Sequence, residues 1–585
     1  MNNYLKLASG RLALLPICAP DYELINDDSP VRYAVKELAS YLTRMCCAVF
    51  EVKPYDGSRC ILIQRDENET NADRLHIKVN EDGILLTGGQ RGLIYAVYEL
   101  LERLGCRFFT CTAEKIPVGT ELQVPFMDIY SAPKFEYREH DYPDAVKNVR
   151  FAVKLRLNGN FHDIPACMGG HTKYSTYVHT FSEIIPGELY EKTHPEYYSE
   201  IEGKRRLPSM GLTQLCLTNS DLLEETIKRV REMLTANPDI RIFSISQNDW
   251  AFNCQCHDCR ASDEKEGAPS GTLLKFVNAV AERLEPEFPN VLFDTLAYQY
   301  TRHAPGCTRN RRNVCIRLCS IESCFSHPLG TCTDETGDGI GKSYHFIDDL
   351  RAWARNNDRM YIWDYTTCFA HYPMPFPNYR VMQPNLITFA ENNVKGVFEQ
   401  ACSASKGSTD FNELKLYLFS KLLWNPYCDI EKHRKEFMEF YYGAASDSLI
   451  RYQDLMCDTV EKENVHIHLS DNPVKAHLTD EMTEKYEALF DEAEKAVAGD
   501  PLRLWRVGKA RLSVRWVKIV RDTMLKGKYE PDVIGKFFND WRAYGLSMIN
   551  ESVHFETTMR AMIEGKWNAD EPFMSHRTLQ EPEIF

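Results

Sequence analysis

Two adjacent polar residues, Asn248 and Asp249, end an apolar stretch of the chain and are the first candidates for chemistry. The stretch from 241 to 249 combines Ile and Phe with small polar residues, a pattern typical of a buried β-strand. Enzymes built on parallel strands carry their catalytic groups where those strands end. A strand-to-loop turn or a helix cap uses the same residue types, and the types alone favour neither interpretation.

Three cysteines follow within six residues: Cys254, Cys256 and Cys259. A structural zinc ion takes four ligands, and two residues commonly separate one pair of them, as they do between Cys256 and Cys259. A structural zinc site is therefore one interpretation, with His257, Cys324 or another cysteine between 307 and 332 as the fourth ligand. The alternatives are free thiols that brace the loop, or a disulfide in an exported homologue.

The composition of the 585 residues narrows the class of protein. With 44% hydrophobic and 26% charged residues the chain is typical of a globular protein. The net charge of −15 disfavours nucleic acid or an anionic membrane as a partner, because phosphate binding requires clustered Lys and Arg. We find no apolar run long enough for a transmembrane helix and no signal-peptide core. We therefore expect a cytoplasmic protein whose 20 cysteines are mostly reduced thiols.

Eight strand-like segments alternate with helical segments between about 131 and 425. The strands are predicted at 135–140, 156–162, 177–181, 242–249, 291–298, 314–319, 360–365 and 396–400. Helices are predicted at 221–234, 271–284, 346–356 and 383–391. Because strands that alternate with helices form parallel sheets, the pattern predicts an α/β protein with a (β/α)₈ TIM-type barrel.

Two further domains are predicted on either side of the barrel. Residues 1–130 combine helices at 33–42 and 91–104 with strands at 61–63, 76–79 and 83–89, which indicates a small α+β domain. Residues 426–585 have apolar residues at helical spacing in the segments 430–442, 446–463, 479–497, 502–525 and 531–549. The predicted organisation is therefore an α+β domain, a barrel over 131–425 and a C-terminal helical domain.

Several segments resemble known carbohydrate-active families. The stretch from 83 to 109, GILLTGGQRGLIYAVYELLERLGCRFF, resembles the non-catalytic domain that precedes the barrel in family 20 hexosaminidases and α-glucuronidases. The segments 194–198, 247–259, 294–298, 362–365, 396–400 and 418–426 resemble the bacterial domain of unknown function 4838. That domain is the core of glycoside hydrolase family 163, whose characterised members are endo-β-N-acetylglucosaminidases acting on N-glycans. Over about residues 30 to 445, the resemblance implies a glycoside hydrolase that binds an oligosaccharide and needs no cofactor for catalysis.

The resemblance also implies roles for the polar pair. In family 20 a neighbouring Asp-Glu pair ends the fourth barrel strand, and Asn248 and Asp249 end the fourth predicted strand here. Asp249 would then be the general acid, and Asn248 would hold and polarise the 2-acetamido group of a β-linked N-acetylhexosaminide in substrate-assisted retaining hydrolysis. The chain departs from family 20 in having Asn for Asp and Asp for Glu. An Asn carbonyl can still accept the acetamide N–H.

Other polar and aromatic residues at the predicted strand ends are candidates for binding the sugar. If two of the strand-end carboxylates act as acid and nucleophile, the mechanism becomes an ordinary retaining one. Trp250 and Trp363 are also candidates, but an aromatic residue near a barrel strand is more often part of the core. The proposed substrate-binding residues are Glu322, Asp364, Glu399, Tyr298, Tyr365, Arg138, His140 and His162.

Two other functions remain open. An α-glucuronidase-like enzyme would need a cation for the uronate carboxylate, and Arg138 and Arg317 are the candidates. A non-catalytic carbohydrate-binding protein on a decayed barrel is the other alternative. The carboxylates at the strand ends argue against decay, because a degenerate site should lose them first.

Overall fold

The computed structural model of the chain describes residues 3–20, 22, 26, 28–334, 336, 337 and 343–569. Among the helices in these ranges, none has the length and apolar character needed to cross a bilayer. Sheets occupy the first two thirds of the described chain, and helices alone follow residue 411 apart from a single bridge between Met548 and His554.

The described residues up to Ser131 form two larger sheets, a hairpin and two helices. The larger sheet has six strands in the order Met127–Ser131, Leu75–Asn80, Gly83–Gly88, Ile61–Arg65, Ile17–Ala19 and Val52–Pro54. A smaller sheet pairs Glu121–Pro125, Tyr4–Ser9 and Leu12–Ala13, and a hairpin pairs Arg107–Phe108 with Glu114–Lys115. The apolar faces of the helices Pro30–Cys46 and Gly92–Arg103 pack on the core. Both predicted helices and all three predicted strands of this region are therefore confirmed.

A parallel sheet of six strands dominates the middle of the chain. Its order is Tyr137–His140, Val394–Gln400, Met360–Tyr365, Val314–Cys319, Leu292–Ala297 and Ile242–Ser244. The first and last of these strands in sequence are neighbours, and the sheet is curved into half a barrel. Six of the eight predicted strands are thus confirmed, and the α/β character of the region with them.

The strands predicted at 156–162 and 177–181 are wrong, since neither segment contains a β-strand. Residues Asn160–His162 form a 3₁₀ turn, and Phe181 begins a short helix. Backbone hydrogen bonds nevertheless connect the two outer strands of the sheet. Asn158 N donates to Arg138 O at 3.1 Å, and Thr172 N donates to Asn158 O at 2.8 Å. Ile242 N then donates to Lys173 O at 3.2 Å. Irregular backbone therefore takes the place of the second and third strands.

Side chains replace the missing ladder in these two segments. Oδ1 of Asn158 accepts from Arg138 N at 2.9 Å, and Oδ1 of Asn160 accepts from Tyr174 N at 3.0 Å. Asn side chains compete with regular secondary structure in this way, because their amide offers the backbone a local partner. The apolar pattern that predicted strands here remains, but it fills the core without regular pairing.

Helices cover the outside of the parallel sheet and build the C-terminal region. The longer helices of the middle region are Ser220–Ala236, His257–Glu266, Pro269–Leu284, Phe346–Asn356, Met382–Glu391 and Asn412–Trp424. The last region contains Ile430–Tyr442, Ser446–Lys462, Asp480–Ala496, Pro501–Lys526, Pro531–Ala543 and Phe555–Ile563. The helix predicted over 531–549 ends early, because Gly545 adopts a φ of +75° two residues after it.

Local signals explain the longest helix, Pro501–Lys526. Oδ1 of Asp500 accepts the N–H of Arg503 at 3.0 Å, so the first turn is capped, and Pro501 occupies the position where a missing N–H costs nothing. Gly527, with a φ of +59°, ends the helix in the left-handed conformation.

The interior of the curved sheet is filled by aromatic rings around a buried cation. Arg317 is fully buried and pairs with Asp294 at 3.4 Å. Four tyrosine rings surround its guanidinium at 5.2–5.7 Å, those of Tyr137, Tyr174, Tyr177 and Tyr361. Gly396 makes room for this layer, since a Cβ there would lie 2.7 Å from both Tyr137 and Tyr361. The interior of the sheet is therefore packed below the carboxyl ends of its strands.

Candidate active site

The carboxyl ends of the parallel strands surround a pocket of about 410 Å³. Alternate residues of a strand point to opposite faces of a sheet, so each strand contributes every second side chain. Trp363 and Tyr365 come from one strand and Gln400 from its neighbour, and Nε1 of Trp363 donates to Oε1 of Gln400 at 2.8 Å. The lining residues are His179, Asp249, Leu296, Tyr298, Cys319, Ile321, Trp363, Tyr365, Phe369, Gln400, Leu469 and Glu551.

Two carboxylates, Asp249 and Glu551, face this pocket from distant parts of the chain. Asp249 follows the strand Ile242–Ser244, whereas Glu551 lies in the loop before the last helix, where its N–H donates to Phe369 O at 3.3 Å. Oδ1 of Asp249 accepts hydrogen bonds from Tyr298 Oη at 3.1 Å and Gln299 Nε2 at 3.3 Å. The region of the parallel sheet and the C-terminal helical region thus each supply one acid to the same pocket.

The surroundings of the two acids differ. Glu551 is exposed to the pocket, but partial desolvation by the surrounding protein raises its pKa, and the negative charges of Asp141 and Asp249 raise it further. A carboxyl with a raised pKa holds a proton at higher pH, as a general acid must. The two donors aimed at Asp249 stabilise negative charge on its oxygen. The pair therefore combines a group suited to donate a proton with one suited to carry charge.

Backbone strain surrounds Asp249. His179 and Gln299 have φ values of +58° and +51°, in the left-handed region that non-glycine residues seldom occupy. Nδ1 of His179 lies 2.8 Å from the carbonyl oxygen of Gln247, which can only accept, so this nitrogen carries the proton. Strained residues of this kind concentrate at functional sites, where the surrounding structure holds them in place.

Residues 108–454, more than half of the chain, match the family model described as "Domain of unknown function (DUF4838)". The chain belongs to this family. The description of the family names no activity. A search of curated proteins finds no match.

The DUF4838 protein also matches solved structures, all at low identity. One is described as a GH138 enzyme targeting pectin rhamnogalacturonan II, with 9% identity, 96% of this chain and 76% of that chain covered, and a TM-score of 0.42. Another is the Flavobacterium johnsoniae chitobiase, with 10% identity, coverage of 92% and 94%, and a TM-score of 0.42. A third is the GH20 β-N-acetylhexosaminidase of Streptomyces coelicolor A3(2), with 13% identity, coverage of 76% and 93%, and a TM-score of 0.43. Structural similarity at this level carries no argument about function, which has to be inferred from the residues of the pocket.

Four of the predicted site residues lie behind the sheet and not in the pocket. Glu399 is the register partner of both His140 and Asp364, so the three share the outer face of the sheet. Nε2 of His140 lies 3.1 Å from Ser420 Oγ on the covering helix, and the rings of His140 and His162 are 5.7 Å apart. Because side chains alternate along a strand, the neighbours of the pocket residues point away from it.

Burial disfavours charge in this outer layer. It raises the pKa of Asp364 to about 6, although Ser320 Oγ donates to the carboxylate at 2.5 Å. It raises the pKa of Glu399 well above the ordinary range, and the charge of Asp364 adds to the effect. Burial likewise lowers the pKa of His162 to about 3 and that of His140 well below its usual range. Among the described residues, neither carboxylate oxygen of Glu399 has a hydrogen-bond partner.

Asn248 and Glu322 are held by protein partners. Oδ1 of Asn248 accepts from Ser182 N at 3.2 Å and Ser182 Oγ at 3.0 Å, and its Nδ2 donates to Thr213 O at 2.7 Å. Both ends of the amide are therefore engaged away from the pocket. Glu322 lies next to the lining residue Ile321, but its Oε2 accepts from Arg302 at 3.4 Å. Burial raises the pKa of Glu322, and Arg302 opposes that shift.

Arg138 connects the N-terminal region to the parallel sheet through an ion pair. Its side chain is 1% exposed, and its Nη2 lies 3.3 Å from Oδ1 of Asp73. Arg91 reaches the same carboxylate at 2.6 Å, and the two cations together lower the pKa of Asp73 to about 2 against the effect of burial. The guanidinium of Arg138 also donates to the carbonyl oxygen of Arg156 at 2.8 Å. The structure thus places Arg138 at a junction and not in the pocket.

The three clustered cysteines meet a fourth that the sequence analysis missed. One sulfur each from Cys216, Cys254, Cys256 and Cys259 lies within 4.8 Å of the others. The sulfur of Cys216 is 3.7 Å from that of Cys256 and 3.9 Å from that of Cys259. Zinc–sulfur bonds of about 2.3 Å in a tetrahedron require sulfur separations of about 3.8 Å. The donor set therefore fits a zinc ion, and none of the four lines the pocket.

A larger cavity, of about 1080 Å³, lies at the opposite end of the sheet. It is bordered by Ile242, Leu292 and Tyr361 from the first halves of their strands and by residues of the N-terminal region, among them Asp73 and Arg91. The catalytic groups of parallel-strand enzymes lie at the other end. The smaller pocket, which holds the acid pair, is therefore the candidate active site.

Some of the residues that line the pocket could be predicted from the sequence, and others are brought there only by tertiary contacts. Asp249, Tyr298 and Tyr365 line the pocket as predicted, because each follows or ends a strand that the sequence marks. Glu551 lies in a loop of the helical region, and no local pattern connects it to the strands. His179 lies in a segment that was predicted as a strand.

Proposed function

We propose that the DUF4838 protein is a glycoside hydrolase whose catalytic carboxylates are Asp249 and Glu551. The observation that carries the proposal is this pair of acids facing one pocket with Tyr298, Trp363 and Tyr365. Glycosidases of most families use two carboxylates, and aromatic rings stack on the apolar faces of sugars. We also infer that the six parallel strands and the two irregular segments form one closed barrel around the aromatic interior.

In this proposal Glu551 is the general acid and Asp249 the nucleophile or base. Glu551 would donate its proton to the leaving oxygen, because its carboxyl has the raised pKa. Asp249, whose carboxylate oxygen accepts from Tyr298 and Gln299, would attack the anomeric carbon or activate water. This assignment differs from the role of Asp249 as the acid that the family 20 resemblance implies. It requires no cofactor.

A neutral sugar suits the pocket better than a uronate. No Arg or Lys is found among the described residues that line it, and its two acids would repel a carboxylate. Arg138 and Arg317, the candidates for binding a uronate, are buried in ion pairs elsewhere. A β-linked N-acetylhexosaminide in an oligosaccharide is the substrate that we propose, and Leu296, Ile321 and Leu469 offer apolar contacts for an acetamide methyl group.

The experiment compares Glu551→Gln with the wild type on aryl glycosides of different leaving-group ability. We expect kcat/KM on a β-N-acetylglucosaminide with a poor leaving group to fall by about 10²–10⁴-fold. An activated aryl glycoside needs little protonation, so its hydrolysis should fall far less. The control is Glu556→Gln, which removes an exposed carboxylate five residues away. Equal losses on both substrates would contradict the role of Glu551 as the acid.

Two further outcomes separate the alternatives. If the wild type hydrolyses only sugars without an acetamide group, the proposed specificity is wrong and the acid pair stands. If the wild type binds oligosaccharides in calorimetry but hydrolyses none, the protein is a carbohydrate-binding protein and the enzymatic proposal fails.

We also propose that the cluster of Cys216, Cys254, Cys256 and Cys259 binds a structural zinc ion. Four protein ligands leave no open position for water or substrate, so such an ion acts through structure alone. It would fix the loop after Asp249 to the segment around Cys216. The cytoplasmic location, in which these thiols stay reduced, remains a prediction.

A further inference from the structure

A second group of metal-binding side chains lies outside the active site and the four-cysteine cluster. It consists of Cys324, His327, Cys332 and His466, and one ligand atom of each lies within 4.8 Å of the others. Three of them come from the loop after the strand Val314–Cys319. The fourth comes from the segment between the helices Ser446–Lys462 and Asp480–Ala496. Residues more than 130 positions apart therefore converge on one point.

The spacing of the donor atoms matches a tetrahedral zinc site. With Zn–S bonds of about 2.3 Å and Zn–N bonds of about 2.0–2.1 Å, a tetrahedron separates sulfur from nitrogen by about 3.5 Å. Cys324 Sγ lies 3.4 Å from His327 Nδ1, and Cys332 Sγ lies 3.7 Å from His466 Nδ1. Ordinary hydrogen bonds would explain either pair alone. A bound ion requires in addition that the ligand atoms of all four residues lie close together, and they do.

Neighbouring polar groups hold two of these ligands in orientation. Nδ2 of Asn464 lies 3.3 Å from Nε2 of His466, the ring nitrogen that faces away from Cys332. With Nδ1 on a metal, Nε2 carries the proton and donates, so the Asn464 amide accepts with its oxygen once the two ends of the amide are exchanged. The backbone N–H of Asp334 donates to Cys332 Sγ at 3.5 Å. Hydrogen bonds to the second nitrogen of a ligating imidazole, and to the sulfur of a thiolate, are usual around bound metals.

We propose that Cys324, His327, Cys332 and His466 bind a second structural zinc ion. On binding, the two thiols lose their protons to solvent, so the site of two thiolates, two neutral imidazoles and Zn²⁺ carries no net charge. All four positions are taken by protein, which excludes a water or a substrate on the metal. Soft thiolates together with imidazoles favour zinc over magnesium or calcium.

The ion would clamp the barrel region to the helical region at the rim of the pocket. The same two segments already meet through the backbone, since Phe325 N donates to Ile467 O at 2.8 Å and Ser326 Oγ donates to Val465 O at 2.7 Å. Leu469, three residues after His466, lines the pocket, as does Ile321, three residues before Cys324. Loading of the site would therefore fix two walls of the pocket without contact with the substrate.

The test is the zinc content of the full chain, purified under reducing conditions with zinc and without chelator. We expect two zinc ions per chain in the wild type, one in His466→Gln and one in Cys216→Ser. The control, Cys307→Ser, removes an exposed thiol outside both clusters and should keep two. Asn464→Ala should weaken zinc binding at the second site by about 10–100-fold, because it removes the support of the His466 ring.

Two measurements keep the test decisive if a variant does not fold. In the wild type, mass mapping after alkylation should find Cys324 and Cys332 protected, and a chelator should expose both. Cobalt bound to Cys216→Ser should give the spectrum of two thiolates and two nitrogens. A single zinc per chain that is lost in Cys216→Ser would overturn the proposal. A disulfide between Cys324 and Cys332 in the reduced preparation would also overturn it.

Discussion

Asp364 provides the sharpest test of how the structure divides the two faces of the sheet. It is 6% exposed on the outer face, and burial raises its pKa from 3.8 to about 6. At about 1.4 kcal/mol for each pKa unit, the shift corresponds to about 3 kcal/mol of stability. Asp364→Asn removes the charge and keeps the acceptor for Ser320 Oγ, so it should relieve this loss.

The sign follows from proton binding. Below about pH 4 the carboxyl is protonated in both the folded and the unfolded chain, and the charge costs the wild type nothing. Between about pH 4 and 6 the unfolded chain loses its proton first, so wild-type stability falls as pH rises. Above about pH 6 the folded state carries the buried charge. Asp364→Asn should therefore gain about 3 kcal/mol relative to the wild type between about pH 4 and pH 7.

The assay is urea unfolding followed by tryptophan fluorescence, with the wild type and variant compared at each pH. Effects of pH on the rest of the chain cancel in the difference. Asp358→Asn is the control, because Asp358 lies in the same region and is exposed. A difference between wild type and Asp364→Asn that stays constant from about pH 4 to pH 7 would refute the reasoning. Asp364 would then ionise in contact with water, as a pocket residue would.

Two more predictions concern other residues whose place the tertiary structure decides. Arg138→Ala should destabilise the fold by about 3–5 kcal/mol, because it breaks a buried ion pair with Asp73. Thermal unfolding would detect this, Arg241→Ala is the exposed control, and a loss of turnover at an unchanged unfolding temperature would instead indicate substrate binding. Trp363→Phe should raise KM about tenfold, because the hydrogen bond to Gln400 is lost. Steady-state kinetics would show this, and an unchanged KM would exclude a role for the indole.

The regular elements could be predicted because their signals are local. The strand Val314–Cys319 is buried along its whole length and consists of apolar residues around one Arg, and its bounds match the prediction. The helices Phe346–Asn356 and Ile430–Tyr442 also match, since an amphipathic face and flanking breakers are contained in the segment itself. The two missing strands could not be foreseen, because their absence depends on contacts with other segments: the side chains of Asn158 and Asn160 accept the backbone N–H groups of Arg138 and Tyr174.

The candidate site was only partly predictable, and the reason is the alternation of side chains. Knowing that a strand ends near Tyr365 does not say which of Asp364 and Tyr365 faces the pocket, since a shift of one residue exchanges the faces. Asp249 could be predicted as a site residue because the loop that contains it directly follows a strand that the sequence indicates. The other acid, Glu551, is separated from it by about 300 residues and lies in the helical region. Only the packing of that region on the parallel sheet and its loops brings the two together.

The sequence by itself determined the family, the alternation of strands and helices, and the unusual density of thiols after Asp249. These follow from residue types within a few positions of one another. The tertiary structure alone decided which acids share a pocket and which lie buried behind the sheet. It also decided that Cys216 completes one group of ligands and His466 the other. Such choices depend on contacts between segments that are distant in sequence, and no local pattern of residues encodes them.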